Sequence, residues 1–213
     1  MHALHERAHE NERKILTYLA SFDCLPKRLI ALLLHGEETN SSITYAERIT
    51  KRMIANGLIG RKIAGDGVYR YFLAERGTYA AAELLRFEPK NGFERSYLNA
   101  ARYDLLNETI IRDLHDNNDL KSAAFGKGAL RHLFNGRFKD FDGALTVERV
   151  EIRSFKYFYA KIDTLSESSI ERYDRLMQLA GHYPLVKEVK ILGPEFVRKS
   201  LKKRKVAIPI ARI

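Results

Sequence analysis

The fold of this chain is decided by residues 44–72, TYAERITKRMIANGLIGRKIAGDGVYRYF. The first half predicts a helix, because Thr44 and Glu47 have the spacing of a capping box and apolar side chains recur at helical intervals. The Asn-Gly pair at 56–57 is typical of a left-handed helix end. Two strand-like segments then flank the Gly-Asp-Gly turn at 65–67, so a two-stranded hairpin is expected to follow the helix.

Two more helices are predicted upstream of this stretch. Residues 11–22 and residues 27–34 both carry apolar side chains at helical spacing. Pro26 stands where a proline opens a helix without losing a hydrogen bond, and Gly36 ends the second segment. Three helices followed by a hairpin is the layout of a winged helix-turn-helix, whose third helix enters the major groove of DNA.

The third helix and the hairpin carry the side chains that we expect to contact DNA. Those of the helix face the bases, and those of the hairpin meet phosphates, which position a protein without reading sequence. The predicted DNA-binding residues are Tyr45, Arg48, Lys51, Arg52, Arg61, Lys62 and Arg70. The alternative is a solvated basic surface on a small domain that binds another protein.

The charge balance favours an anionic partner. Among 213 residues, 37 Lys and Arg outnumber 27 Asp and Glu, which gives a formal net charge of +10. Nucleic acid is the first expectation for such a balance, and a membrane surface is the second. The excess is strong from residue 186 onward, where nine Lys or Arg stand against two Glu. That tail is either an additional phosphate-binding strip or a solvated helix.

The cysteine content and the apolar runs indicate the compartment. The single cysteine, Cys24, excludes an internal disulfide, which suits the reducing cytosol. The N-terminus lacks the pattern of a signal peptide, and the longest apolar run, residues 29–34, is far too short to span a bilayer. We therefore expect a cytoplasmic protein without a membrane partner.

A cluster of chain breakers at 88–92 predicts a boundary between one domain at 1–88 and another at 93–213. In the second part, segments follow in the order helix, strand, strand, helix, strand, helix. The strands are predicted at 141–147, 155–163 and 186–192. The chain is thus predicted to be α+β, with a winged helix followed by a small mixed α/β domain.

Short motifs in the second part resemble those of a known family. They are Phe141-Asp142-Gly143, the segment from Ala160 to Thr164, Ser166-Glu167-Ser168, and a helix that closes on Gly181-His182-Tyr183. Together with the winged helix before them, they resemble the replication-relaxation family, which includes the MobC-type relaxases of mobilisable plasmids. The resemblance implies a winged helix joined to a restriction-endonuclease-like domain, here a degenerate one.

The resemblance also implies a metal-dependent nuclease centre. In nucleases of that fold, an Asp, a carboxylate on the next strand and a Lys two residues later hold a divalent metal, and hard carboxylates suit Mg²⁺. Asp142 matches the first position, but Lys161 stands where the family has a Glu, and Asp163 lies two residues on. The implied catalytic residues are Asp142, Lys161 and Asp163, with Asp142 and Asp163 as Mg²⁺ ligands. The favoured alternative is that these charges pair with one another and the domain folds, assembles or binds DNA without catalysis.

Three functions follow from these expectations. The preferred one is a DNA-binding protein of a mobile genetic element that recognises a specific duplex site, at an origin of transfer or a promoter, and is not an enzyme. The second is an active Mg²⁺-dependent DNA-nicking relaxase. The third is a winged-helix transcriptional regulator whose C-terminal domain serves assembly. Double-stranded DNA is the expected partner, with a homodimer and other mobilisation proteins as further candidates.

Overall fold

The computed structural model of the chain describes residues 2–85, 89, 100–117, 122–127, 129–130, 138–149, 152–182, 186 and 188–204. As predicted, it is an α+β fold, in which helices pack around a three-stranded and a four-stranded sheet. Among these residues, the helices are too short or too polar to span a bilayer. Two predicted features lie largely or partly outside the described residues. One is the domain boundary at 88–92, of which only residue 89 is described, and the other is residues 93–99 of the helix that the sequence predicts at 93–115.

Four helices and the smaller sheet form the N-terminal part. The helices are α1 (His2–Phe22), α2 (Lys27–His35), α3 (Asn40–Ala55) and α4 (Glu75–Leu84), and the strands are β1 (Leu25–Pro26), β2 (Ile59–Ile63) and β3 (Tyr69–Leu73). The strands pair antiparallel in the order β1-β3-β2. The predicted succession of three helices and a hairpin is therefore confirmed.

Helix α3 begins more than one turn earlier than the sequence predicts. Its N-cap is Thr39, whose hydroxyl accepts a hydrogen bond from the Ser42 amide, while Ser42 Oγ accepts one from the Thr39 amide. This reciprocal pair is the capping box, so the box predicted at Thr44 is wrong. Thr44 instead lies inside the helix and donates its hydroxyl to the Asn40 carbonyl. The end of the helix is as predicted, because Gly57 adopts the left-handed conformation with φ 68°.

The second part is built around the four-stranded mixed sheet. A short 3-10 helix at Ala100–Tyr103 leads into the other elements, which are α5 (Asp104–Asp116), β4 (Ser122–Gly126), β5 (Gly143–Arg149), β6 (Ile152–Lys161), α6 (Glu167–Gly181), β7 (Glu188–Leu192) and α7 (Glu195–Lys202). The strand order is β4-β5-β6-β7, and the pairs are antiparallel except for the parallel pair of β6 and β7, which α6 connects. The mixed sheet is as predicted, and β4 is a strand that the sequence did not predict.

Strand alternation gives this sheet two different faces. Leu145, Tyr157 and Tyr159 lie on one face and belong to a buried cluster that also contains side chains of α5 and of the N-terminal helices; we call it the first cluster. Ala144 and Phe158 lie on the other face, in a second cluster with side chains of α6 and α7. The sheet is therefore the middle layer between helices on both sides.

The N-terminal helices and the larger sheet are in direct contact. The Ser21 hydroxyl, near the end of α1, donates to the Ala124 carbonyl (3.2 Å) and accepts from the Gly126 amide (3.1 Å). This approach requires glycine, since a Cβ at Gly126 would lie only 2.7 Å from the Phe22 ring. The first cluster accordingly runs without a break from α1 to β6.

Candidate nucleic-acid interface

Helix α3 is held by its apolar face, which leaves the opposite face to solvent. Ala46, Ile49 and Met53 are buried in the first cluster, together with the apolar side chains of α2. Burial of a side chain such as Ile or Met stabilises a fold by roughly 1.5–3 kcal/mol, so this packing fixes the rotation of the helix. The outward face is therefore presented in one orientation.

Three cations lie on this outward face at a spacing of three to four residues. Arg48, Lys51 and Arg52 are all exposed. Lys51 Nζ lies 3.0 Å from Glu47 on the same helix, and Arg52 Nε lies 2.8 Å from Glu12 on α1. Arg48 has no ion-pair partner among the residues that the structure describes. We call Arg48, Lys51 and Arg52 the α3 surface.

The two ion pairs do not prevent these cations from meeting a polyanion. The exposed Lys51–Glu47 pair is weak and screened by salt, so a phosphate can replace Glu47 at little cost. Glu12 is only 12% exposed, but it accepts a hydrogen bond from Arg52 through Nε. Glu47 lies on the same helix as the α3 surface, and hydrogen bonds from Lys27 and Lys51 lower its pKa to about 2. Its negative charge is thus matched by two lysines.

Tyr45, which was predicted to contact DNA, is held in place by side chains of α1 and α2. Its phenol oxygen accepts a hydrogen bond from Asn11 Nδ2 (3.0 Å), and its ring meets His35 edge-on, with the centroids 5.0 Å apart. The side chain is half-buried and packs against the first cluster. Tyr45 therefore braces α3 against α1 and α2 at the rim of the α3 surface.

Arg61 and Lys62 lie exposed on the β2–β3 hairpin. The Arg61 guanidinium lies over the Tyr69 ring, with Cζ 4.8 Å from the ring centroid, which restricts this long side chain to one region. The tip of the hairpin also exposes Ile63, Val68 and Tyr69, each between 45% and 52%. The hairpin thus offers a partner both positive charge and apolar contact area.

Arg70 was predicted to contact DNA from the surface of the hairpin, but it lies in the interior. Its side chain is 0% exposed, and its guanidinium donates to both carboxylate oxygens of Asp66 (2.7 and 2.8 Å) and to Asp104 Oδ2 (2.6 Å). Strand alternation puts Arg70 and Lys62 on the hairpin face opposite to Arg61, and the start of α5 covers that face at Arg70. We therefore leave Arg70 out of the interface.

Arg70 and its two carboxylate partners, Asp66 and Asp104, fix the hairpin to α5. Hydrogen bonds from Arg70 lower the pKa of Asp66 to about 2, whereas burial raises the pKa of Asp104 above its ordinary value. The alternation of side chains along β3 could have shown that Arg70 points away from Arg61. No local signal could have identified Asp104 as its partner, because the two residues are 34 positions apart.

The residues implied as a nuclease centre do come together at one end of the larger sheet. Asp142 directly precedes β5, Lys161 ends β6, and Asp142 Oδ2 accepts a hydrogen bond from the Lys161 amide (2.8 Å). The carboxylate of Asp163 accepts hydrogen bonds from Lys161 Nζ and from Arg102 (3.0 Å). The antiparallel pairing of β5 with β6 is what brings Asp142 beside Lys161.

Arg172 of α6 fills the space where oxygen atoms of this centre converge. Its guanidinium donates to Asp142 Oδ2 (2.9 Å), to the Asp140 carbonyl (3.0 Å) and to the Lys161 carbonyl (3.1 Å). One carboxylate and two carbonyl oxygens are ligands that a hard divalent cation would accept, but here they hold a side chain of the protein itself. Lys127 Nζ lies 3.0 Å from Asp142 Oδ1 outside hydrogen-bonding geometry, so this contact is an ion pair only.

These residues do not fit a divalent metal. Asp142 is 2% exposed and is already matched by Arg172 and Lys127. Burial tends to raise the pKa of Asp163, but Lys161 and Arg102 together lower it below its ordinary value. Within the described segments, no group of three or more His, Cys, Asp or Glu side chains is arranged to hold a metal ion. The centre is an internal network of ion pairs.

Comparison of the chain with protein-family models, with curated proteins and with solved structures found no match. The resemblance to the replication-relaxation family therefore stays a prediction, and so does every function that it implies.

Proposed function

We propose that this chain binds double-stranded DNA and uses α1, α2, α3 and the β2–β3 hairpin as a winged helix. The observation that carries the proposal is the α3 surface, on which Arg48, Lys51 and Arg52 are exposed and held in one orientation by the buried face behind them. Cations fixed in this way displace the counterions of DNA, which supplies sequence-independent affinity. The net charge of +10 draws the protein toward the same partner.

The dimensions of α3 support docking in the major groove. The helix has 16 residues, which makes it about 24 Å long at 1.5 Å per residue. A helix with its side chains is about 10–12 Å across, and the major groove is about 12 Å wide. In this arrangement Arg48 and Arg52 reach base edges and Lys51 meets a phosphate. Arg61 and Lys62 contact the backbone beside the groove.

The tip of the hairpin supports a second candidate function, which is docking of another protein. Neighbouring exposed apolar side chains mark contact sites, and Ile63, Val68 and Tyr69 are such a group. DNA binding is preferred because Arg61 and Lys62 flank this group and a polyanion satisfies both cations. If the hairpin serves a protein alone, removal of these two cations leaves the salt dependence of DNA binding unchanged.

For the second half, we propose a degenerate restriction-endonuclease-like domain in a protein of a mobile genetic element, acting at an origin of transfer or a promoter. The support is the motif resemblance together with the position of Asp142 beside Lys161 at adjacent strand ends. Arg172 supports the degenerate assignment, because its guanidinium holds the oxygens that a metal would need. The domain then contributes to assembly or to DNA contact without cutting.

The test is selection of bound fragments from random DNA with the full chain, followed by footprinting and incubation with Mg²⁺ or Mn²⁺. We expect one protected duplex sequence and no strand breaks. Absence of any enriched fragment, together with absence of binding in dilute salt, would refute DNA binding. Metal-dependent nicking that Asp142→Ala abolishes, and that the control Glu171→Ala on α6 leaves intact, would overturn the degenerate assignment.

A further inference from the structure

Helix α7 presents a second cationic surface, far along the chain from the first. It buries Val197 and Leu201 in the second cluster and turns its other side chains outward. Five exposed residues define what we call the α7 surface: Phe196, Arg198, Lys199, Lys202 and Lys203. Glu195 is the acid of this helix, and it pairs with Lys199 at 2.7 Å. The surface therefore keeps a clear excess of positive charge.

A cavity of about 390 Å³ lies beside the α7 surface, between α7, β7 and α5. Arg198 and Lys202 line it from α7, and Lys190 lines it from β7. Lys190 Nζ forms an ion pair with Asp113 Oδ1 at 2.7 Å. Lys202 Nζ lies 4.0 Å from Glu188 Oε1, so that ion pair is weak. Arg198 has no ion-pair partner within the part of the chain that the structure describes. Two cations at this cavity are therefore available to an anion.

Phe196 places an exposed aromatic ring on the α7 surface. Its ring is 63% exposed. Lys199 and Lys203 follow it by three and seven residues, so they lie on the same side of the helix. An aromatic ring beside cations that bind phosphates can contact the sugars of the same backbone, so this combination suits a nucleic-acid-binding surface.

Helix α5 places this cavity close to the hairpin. Its first residue, Asp104, is bonded to Arg70 of β3, while Leu105 and Thr109 line the cavity beside α7. Thr109 follows Asp104 by five positions, which corresponds to about 7.5 Å along the helix axis. One turn of a DNA duplex is about 34 Å long, so a single duplex has the length to reach both the hairpin and the cavity.

We propose that the α7 surface binds the phosphate backbone of the same DNA molecule that α3 engages, with Arg198 and Lys202 as its main contacts. The inference rests on the proposed function and extends the interface into the second half of the chain. Of the two alternatives for the basic tail from residue 186 onward, it favours phosphate binding. An anionic membrane is disfavoured, because Val197 and Leu201 are 0% exposed and a surface helix needs its apolar face free for insertion.

The test is a salt titration of binding to a labelled mixed-sequence duplex of about three helical turns, measured by fluorescence anisotropy. The full chain is compared with Arg198→Ala/Lys202→Ala and with the control Arg112→Ala/Arg175→Ala. The control removes the same charge from exposed positions on α5 and α6. Each lost phosphate contact lowers the slope of log affinity against log salt by about 0.9, so the first variant should lose about 1.8. The control should lose far less.

The outcomes separate this inference from the function on which it rests. If the unaltered chain does not bind the duplex at all, the proposed function fails and the α7 inference fails with it. If the chain binds and the two variants change the slope equally, or not at all, the α7 inference alone is overturned. Unchanged DNA slopes together with α7-dependent sedimentation on phosphatidylserine vesicles would assign the surface to membranes instead. Thermal melting of both variants confirms that they are folded.

Discussion

Replacement of Arg70 with Met should lower the free energy of unfolding by about 3 kcal/mol. Removal of one partner from a buried ion pair typically costs about 3–5 kcal/mol, because the remaining charge is left uncompensated. The Arg70 side chain is 0% exposed, but Asp104 is 16% and Asp66 is 33% exposed, so water offsets part of the loss. Methionine keeps the apolar stem of the side chain, which limits the cavity that the substitution leaves.

Urea denaturation followed by circular dichroism measures this change. With slopes of about 1–3 kcal/mol per molar urea, a loss of 3 kcal/mol moves the midpoint down by about 1–3 M. The matched control is Arg61→Met, on the same hairpin but exposed, which should change stability by less than about 0.5 kcal/mol. The contrast between the two variants reports burial rather than the loss of one positive charge.

A second substitution measures the contribution of the Asp104 carboxylate that Arg70→Met leaves unpaired. In Arg70→Met/Asp104→Asn the unpaired buried charge is gone, so the double variant should be more stable than Arg70→Met alone. Two results together would refute the buried position of Arg70. Arg70→Met would unfold at the same urea concentration as the unaltered chain, and it would lower the slope of log DNA affinity against log salt by about 0.9. That result would return Arg70 to the DNA surface.

Three further regions give predictions of their own. Arg48→Ala should weaken specific DNA binding by about 1–3 kcal/mol, and an unchanged affinity and footprint on the selected site would remove α3 from the groove. Arg61→Ala and Lys62→Ala should each lower the salt slope by about 0.9 in anisotropy titrations, and equal slopes would exclude the hairpin from the interface. Because the pKa of Asp66 is lowered from 3.8 to about 2, its stabilisation is complete above about pH 4 and is lost as the pH falls toward 2. Acid unfolding of Asp66→Asn should lack that component, and superimposable acid curves for both chains would contradict it. Arg172→Met should lower the free energy of unfolding by about 3 kcal/mol in urea denaturation. Mn²⁺ should leave the melting temperature of the unaltered chain unchanged. A clear rise of that temperature with Mn²⁺ would mean that the centre accepts a metal.

The elements that depend on local pattern could be predicted from the sequence. Helical periodicity located α1, α2 and α3, and the Gly-Asp-Gly turn located the hairpin. The capping box was misplaced because Thr44 has the expected Glu three residues on, whereas the box observed at Thr39 is closed by Ser42. Strand β4 was not predicted because its sequence, SAAFG, has little intrinsic strand preference. It becomes a strand because β5 pairs with it and α1 contacts it.

The positions of the charged side chains were harder to predict, since they depend on contacts between distant parts of the chain. Arg70 and Arg61 belong to the same basic hairpin, yet α5 buries one and leaves the other exposed. Arg172 looks like any polar residue of an amphipathic helix, and its partners include two main-chain carbonyls that no side-chain pattern reveals. Asp142 and Lys161 were named together because of the motif resemblance, and the antiparallel pairing of β5 with β6 is what places them side by side.

The most direct test of the central proposal is the salt dependence of duplex binding by Arg48→Ala/Arg52→Ala, compared with the charge-matched Arg112→Ala/Arg175→Ala. If the α3 surface docks on DNA, the full chain binds tightly at low salt. The first variant then loses affinity and salt slope while it stays folded, and the second variant keeps both. Indifference of the full chain to duplex DNA in dilute buffer, or identical titrations for the two variants, would contradict the proposal.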